Sequence, residues 1–118
     1  MEFGLHLGTR GAAIDPDNLT VLARHAEAMG IHYLGFSDHI VIATAIDSRY
    51  PYNETGVWPA SDSGTCLEQL TTLAFVAAAT EKIRLLTSVM VLPYRPAILA
   101  AKMLATVDVL SKSRVTVG

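Results

Sequence analysis

Apolar positions along this chain switch between a period of two and a helical period, and each switch marks an element. Phe3, Leu5 and Leu7 alternate with Gly4, His6 and Gly8, so residues 2–7 are expected to form a strand. One face of it is bulky, and the other is small except for His6. That asymmetry suits a barrel strand, with the bulky face under helices and the narrow face toward the interior. Residues 9–14 read as a loop punctuated by Gly11. Asp15-Pro16-Asp17 then opens a helix. Asp15 caps free amides, Pro16 needs no amide partner at the first position, and Asp17 suits the positive end of the dipole. Leu19, Leu22, Ala23, Ala26 and Met29 follow at helical spacing, and Gly30 supplies a left-handed stop. Arg24, His25 and Glu27 fall off that stripe, which puts His25 on the solvated surface.

The apolar run 33–36 ends abruptly in Ser37-Asp38-His39, a hydroxyl, a carboxylate and an imidazole. Parallel strands end this way where their C-terminal ends open into a site. Residues 40–64 hold no sustained period, and a loop of that length is functional or disordered. Tyr50, Tyr52 and Trp58 argue for packing over disorder. Thr65-Cys66-Leu67-Glu68 has the form of a capping box, which predicts a helix from there to about Ala79 with Leu67, Leu70, Leu73, Ala74, Ala77 and Ala78 along it. Residues 84–90 are apolar on both faces, the mark of a covered parallel strand. Pro93 and Pro96 bracket a turn, with Pro96 expected at the first position of a helix whose buried stripe is Leu99, Met103, Val107 and Leu110. Residues 114–117 begin a fourth strand. The alternation defines an α/β fold of parallel strands with right-handed helical crossovers, and it brings every strand-to-helix loop to one end of the sheet.

Composition narrows the function. Apolar residues make up 51% of the chain and charged ones 17%, against about 25% charged in ordinary globular domains. No apolar run approaches the ~20 residues of a membrane span, and Met1-Glu2-Phe3-Gly4 does not open a signal peptide. A cytoplasmic protein with no membrane partner is therefore expected. A net charge of −2 with scattered Lys and Arg leaves no footprint for nucleic acid. The single cysteine, Cys66, precludes an internal disulfide framework and is expected to be a small buried residue at a helix start. Glycine-rich dinucleotide and P-loop motifs are missing. Ser37, Asp38 and His39 are adjacent, so their side chains diverge and do not form a hydrolytic triad. No H-x-H or H-E-x-x-H spacing occurs, and no metal site is expected. A metal-dependent barrel hydrolase drawing on His6, Asp38 and His39 stands as an alternative.

A longer set of segments carries more. Phe3-Gly4-Leu5-His6-Leu7, Ala26-Glu27-Ala28-Met29-Gly30, Ser37-Asp38-His39, Ser48-Arg49-Tyr50-Pro51-Tyr52, Thr87-Ser88-Val89-Met90 and Ala101-Lys102-Met103-Leu104 occur in this order. Together they resemble the N-terminal part of the luciferase-like monooxygenase superfamily, in its coenzyme F420-dependent oxidoreductase branch. The resemblance implies a (β/α)8 TIM barrel. A complete one takes about 250 residues, so residues 1–118 would be a single partial domain, its N-terminal half, with the long loop 40–64. It implies a flavin or deazaflavin over the C-terminal strand ends and hydride transfer between coenzyme F420 and a small organic substrate. An FMN-dependent monooxygenase is the alternative. His39 and Asp38 take the catalytic positions; Asp38, Thr87, Ser88 and Val89 take the cofactor-binding ones, with Ser88–Val89 a non-proline cis peptide in a bulge behind the ring. His6 and Trp58 face the substrate pocket. Two positions depart from the pattern: Leu86 stands where relatives commonly carry glycine, and Lys112-Ser113 replaces a Gly-Gly pair.

Each of these positions also has a plainer reading. Asp38 and His39 suit an Asp-capped loop, and His6 a hydrogen-bonded core histidine. Trp58 and Tyr52 suit the underside of a lid. Arg95, near the end of the third strand, suits a contact to an acidic group or a surface salt bridge. Half a barrel also has unpaired strand edges and an open interior. A homo-oligomer is therefore expected, and a truncated, non-catalytic half-barrel that self-associates is a further alternative.

Overall fold

The computed structural model describes all residues but Thr44 and 59–63. Among the described residues the order is β1 (Gly4–His6), α1 (Pro16–Ala28), β2 (Tyr33–Phe36), α2 (Gln69–Ala79), β3 (Arg84–Thr87), α3 (Ala97–Leu110) and β4 (Val115–Val117). Single 3-10 turns at Gly11–Ile14 and Leu92–Tyr94 follow β1 and β3. The strands form one parallel sheet in chain order, β1-β2-β3-β4. This is the α/β arrangement of parallel strands that the alternation predicts, and it is the N-terminal half of the (β/α)8 barrel that the resemblance implies.

Register assigns the two faces. Leu34, Phe36, Leu85 and Thr87 are fully buried, and the first three join Leu70, Leu73 and Val76 of α2 in one core. Burying each such leucine or phenylalanine stabilises the fold by about 1.5–3 kcal/mol. On the opposite face His6, Gly35, Leu86 and Thr116 lie side by side across the sheet. Gly35 makes that row possible: a Cβ there would meet His6 Cδ2 at 3.3 Å and Ser88 Cβ at 3.4 Å.

α1 begins as its sequence dictates, with Asp15 Oδ1 accepting from the Asn18 amide at 2.8 Å, and Gly30 beyond its end has φ +77°. His25 is exposed. Elsewhere the structure departs from expectation. α2 starts at Gln69, because Glu68 and not Thr65 is its cap, accepting from the Thr71 amide at 2.7 Å. The residues just before it form no regular element, and the Leu67 amide donates to Thr9 O at 2.9 Å. Cys66 therefore sits half-buried ahead of the helix, its thiol donating to His39 O at 3.2 Å, and does not open the helix as a buried residue. Pro96 caps α3 instead of occupying its first turn. The face of α3 that meets the core carries Ala100, Met103, Leu104 and Val107, while Leu99 and Leu110 are exposed. The segment Ala97-Ile98-Leu99-Ala100-Ala101 is apolar all round, so its pattern does not fix which side turns inward.

Candidate active site at the C-terminal ends of the strands

Asp38 lies two residues past the end of β2, and its carboxylate is wholly enclosed. Arg95 donates to it with both terminal nitrogens, at 2.7 Å to Oδ2 and 2.9 Å to Oδ1, and the Val91 amide adds a third bond at 3.0 Å. Arg95 also binds Glu68, the cap of α2. One guanidinium thus ties together the loops after β2 and β3 and the start of α2. The bond to Asp38 above all holds Arg95 fully protonated, against the effect of its burial. Burial raises the proton affinity of Glu68, but hydrogen bonds from Thr71 and Arg95 outweigh it and leave the carboxyl below its ordinary range. Of the two readings of Arg95, the acidic contact is the one observed; its side chain is 7% exposed.

Past β3 the chain turns outward at a cis Ser88–Val89 peptide, the feature the resemblance implies. The bulge is held on all sides. Ser88 N donates to Phe36 O at 2.9 Å and Met90 N to Gly118 O at 2.9 Å. Gln69 Nε2 donates to Phe36 O at 2.7 Å and to Val89 O at 3.3 Å. Val89 itself is exposed. Thr87 is turned away from it: buried, its hydroxyl donates to Gly118 O and accepts from Gly118 N. Gln69 escaped the sequence reading, although a signal exists. It falls four residues before Leu73 and seven before Val76, a polar side chain on a buried stripe.

His39 points to other partners than its neighbour Asp38. Its ring packs against Trp58 at 5.4 Å between centroids, tilted by 50°, and the Arg10 guanidinium lies over Trp58 at 4.6 Å. Partial burial first, then the charge of Arg10, lowers the proton affinity of His39, with Asp38 acting weakly in the other direction. At neutral pH the imidazole is therefore neutral, a proton acceptor. A cavity of 470 Å³ opens beside it, lined among others by Arg10, His39, Ile46, Arg49, Tyr50 and Trp58. The loop that closes this cavity is ordered by Asn53. Its Oδ1 accepts from the Gly56 amide at 2.8 Å, its Nδ2 donates to Val57 O at 2.8 Å, and Tyr50 N reaches Gly56 O at 2.7 Å. Tyr50 and Tyr52 meet edge to face at 5.4 Å. The aromatics do mark packing. The polar run Ser61-Asp62-Ser63 lies outside the described residues.

The predicted residues thus fall into separate groups. His6 and Ser88 come together over Gly35, while a Cβ at Gly8 would lie 3.8 Å from His6 Cε1 and 3.9 Å from Ser37 Oγ. His39 and Trp58 share the cavity wall. Asp38 and Thr87 are engaged by protein groups. Among the described residues His6, Asp38 and His39 form no group able to hold a metal ion, and no helix is long and apolar enough to cross a membrane.

A half-barrel with a braced bulge and open side chains at its C-terminal end has the make-up of a barrel enzyme's active-site half. The family model of the luciferase-like monooxygenases matches residues 1–118, and the chain belongs to that family. It is 33% identical over 97 residues to an uncharacterised protein of Mycobacterium tuberculosis, a match covering 82% of this chain and 34% of that one. The chain thus spans about a third of the length of this curated relative. Two solved structures share the fold. One is the coenzyme F420 dependent tetrahydromethanopterin reductase from Methanopyrus kandleri, at 21% identity and TM-score 0.69, covering 99% of this chain and 26% of that one. The other is the oxygenating constituent of 3,6-diketocamphane monooxygenase from the CAM plasmid of Pseudomonas putida, in complex with FMN. It has 20% identity and TM-score 0.68, covering 100% of this chain and 29% of that one.

Proposed function

We propose that this chain forms the cofactor-facing half of an oxidoreductase that transfers hydride between coenzyme F420 and a small organic substrate. The observation that carries the reading is the segment after β3: Ser88 and Met90 are braced by Phe36 and Gly118, Gln69 holds Val89 O, and the Val89 side chain is left exposed beyond the strand ends. The residues present fit a flat tricyclic ring. Val89 and Ser88 supply a firm support, and glycines at positions 8 and 35 keep the neighbouring surface low. When bound, the deazaflavin supplies a carbon centre that gives or takes hydride. The chain's part is to fix one face of that ring, keep the other open, and handle a proton. Neutral His39 suits the last task as an acceptor. Asp38, enclosed by Arg95, is better read as the anchor of the loop that carries the bulge than as a proton carrier. A homo-oligomer of the whole protein remains part of the proposal, resting on the exposed apolar side chains of α3, among them Ile98 and Val109.

Ser37-Asp38-His39 and Thr87-Ser88-Val89 favour F420, and the FMN complex of a protein with the same fold supports the flavin alternative. The test is direct titration of the full-length protein with both cofactors, followed by absorbance and fluorescence. Selective F420 binding is expected. A protein that purifies yellow with tight FMN and ignores F420 would overturn the choice.

A further inference from the structure

Two guanidinium groups line the 470 Å³ cavity, Arg10 and Arg49, and no carboxylate among the described residues lines it. Neither arginine joins an ion pair among the described residues, where the ion pairs tie Arg95 to Asp38 and Glu68. Both are nonetheless fixed in place by neutral groups. Arg10 lies over the Trp58 ring. Arg49 donates to Glu54 O at 3.1 Å and lies flat across Gly56, where a Cβ would come within 2.6 Å of its Cγ. Gly56 has φ +71°, so backbone conformation and the close approach of Arg49 both call for glycine there. The outcome is a concave site with two positioned positive charges that no carboxylate among the described residues offsets, in a chain whose net charge is −2. Such a site draws anions, and arginine's planar fork matches a carboxylate. Beside His39, the remaining wall is apolar or neutral: Ile46, Ser48, Tyr50, Pro51 and Trp58. Its volume falls in the range of about 300–1,000 Å³ usual for small-molecule pockets.

We propose that this cavity is the substrate pocket and that it takes a small, flat organic carboxylate whose charged group is bound by Arg10 and Arg49. The inference rests on the oxidoreductase reading above and names its substrate class. It also gives Arg10 a second effect. An anion beside it offsets the charge that lowers the proton affinity of His39, so a bound acid makes His39 a better proton acceptor.

The experiment is calorimetric titration of the full-length protein with benzoate and cinnamate, and with benzamide and cinnamamide as neutral counterparts. At least one acid should bind at least about tenfold more tightly than its amide. Arg49→Gln should weaken acid binding by about the same factor, leave amide binding unchanged, and respond to Arg49→Lys with partial recovery. Arg10→Gln should do likewise and, by NMR titration without ligand, raise the His39 pKa. Equal binding of acid and amide, indifference to Arg49→Gln, or no binding of either acid at millimolar concentration overturns the proposal. So does loss of acid binding whenever F420 or FMN saturates the protein, because the arginines would then hold an acidic part of the cofactor. If neither cofactor binds while the preference for acids holds, the oxidoreductase reading fails and the anion site stands.

Discussion

At the end of the sheet where strands begin, Glu27 and Arg114 are committed to backbone. Glu27 accepts the amides of Glu81, Lys82 and Ile83 at 2.6–3.0 Å. Arg114, buried, donates to Ser111 O, Ile83 O, Ala77 O and Thr80 O and to the Thr80 hydroxyl. The end where strands finish contains a cluster whose charges are likewise paired, Asp38 with Arg95 and Glu68, but outside it Arg10, His39, Arg49 and Val89 stay open. The difference teaches how to separate structural from chemical polarity. A charge whose hydrogen bonds are filled by backbone or by an opposite charge organises the chain. A charge held in place by neutral neighbours is left to act on something else.

The sharpest way to break this contrast is at His39. His39→Ala in the full-length protein should lower kcat by roughly 10²–10⁴-fold, the usual loss for a missing general acid or base, with cofactor affinity little changed. Steady-state kinetics with and without chelator check it. A lower melting temperature with normal turnover per folded molecule would make His39 structural, and chelator-sensitive activity would point to the hydrolase alternative.

The closed clusters should differ from His39 and from each other. Arg95→Met leaves Asp38 buried without its partner and should cost about 3–5 kcal/mol in denaturant unfolding. Replacing both partners, as Asp38→Asn with Arg95→Met, should recover much of that. Arg114→Met should cost about 2–3 kcal/mol, because backbone carbonyls lose their donors. Turnover per folded molecule separates the two ends: it should fall for Arg95→Met, which frees the segment carrying the bulge, and hold for Arg114→Met.

The same contrast explains what could be read from the sequence. Strand order and crossovers were legible because Phe3-Leu5-Leu7, the α1 stripe and the run 33–36 each mark an element, although Phe3 and Leu5, expected under helices, and Leu22 and Met29, expected on the buried stripe, are exposed. The start of α2 was not, because Thr65 and Glu68 both suit a cap and only a distant contact, Leu67 to Thr9, decides between them. At the site, Ser37-Asp38-His39 announced itself by chemistry. What each residue does was hidden, since the partners of Asp38 lie 53 and 57 residues away in the chain. Arg10 carries no sequence mark, and Arg49 is marked only as part of Ser48-Arg49-Tyr50-Pro51-Tyr52; only the folded loop brings them to one cavity.

Acid should act on His39 and on Glu27 in different pH windows. His39 is depressed from 6.5, by burial first and by Arg10 second, so the unfolded chain takes up a proton before the native one does. Stability from this group is complete above about 6.5 and is lost as pH falls through the lower native value. For Glu27, burial raises the proton affinity but three amide bonds and Arg114 together leave it below 4.5. Its contribution survives to about 4.5 and is lost only below that. Urea unfolding between pH 7 and 3 should therefore weaken in two stages. His39→Gln should remove the first, and Glu27→Gln should reduce the second, which Glu68 shares.

The smallest expected effect lies at the strand-beginning end, where α3 gives way to β4. Lys112 and Ser113 have φ of +59° and +61°, left-handed conformations that suit glycine. Their amides donate to Val109 O and Asp108 O, closing the helix end, and Arg114 takes up its buried position directly after them. The conformation is therefore imposed by what surrounds it and persists without glycine. A side chain in that region costs roughly 1–2 kcal/mol, and glycine returns part of the gain by loosening the unfolded chain. Lys112→Gly and Ser113→Gly should each stabilise by about 0.5–1 kcal/mol. Because this end holds only structural polarity, cofactor binding and turnover should not change. A double variant that melts higher but loses activity would show that the two ends of the sheet are coupled and would undo the separation drawn between them.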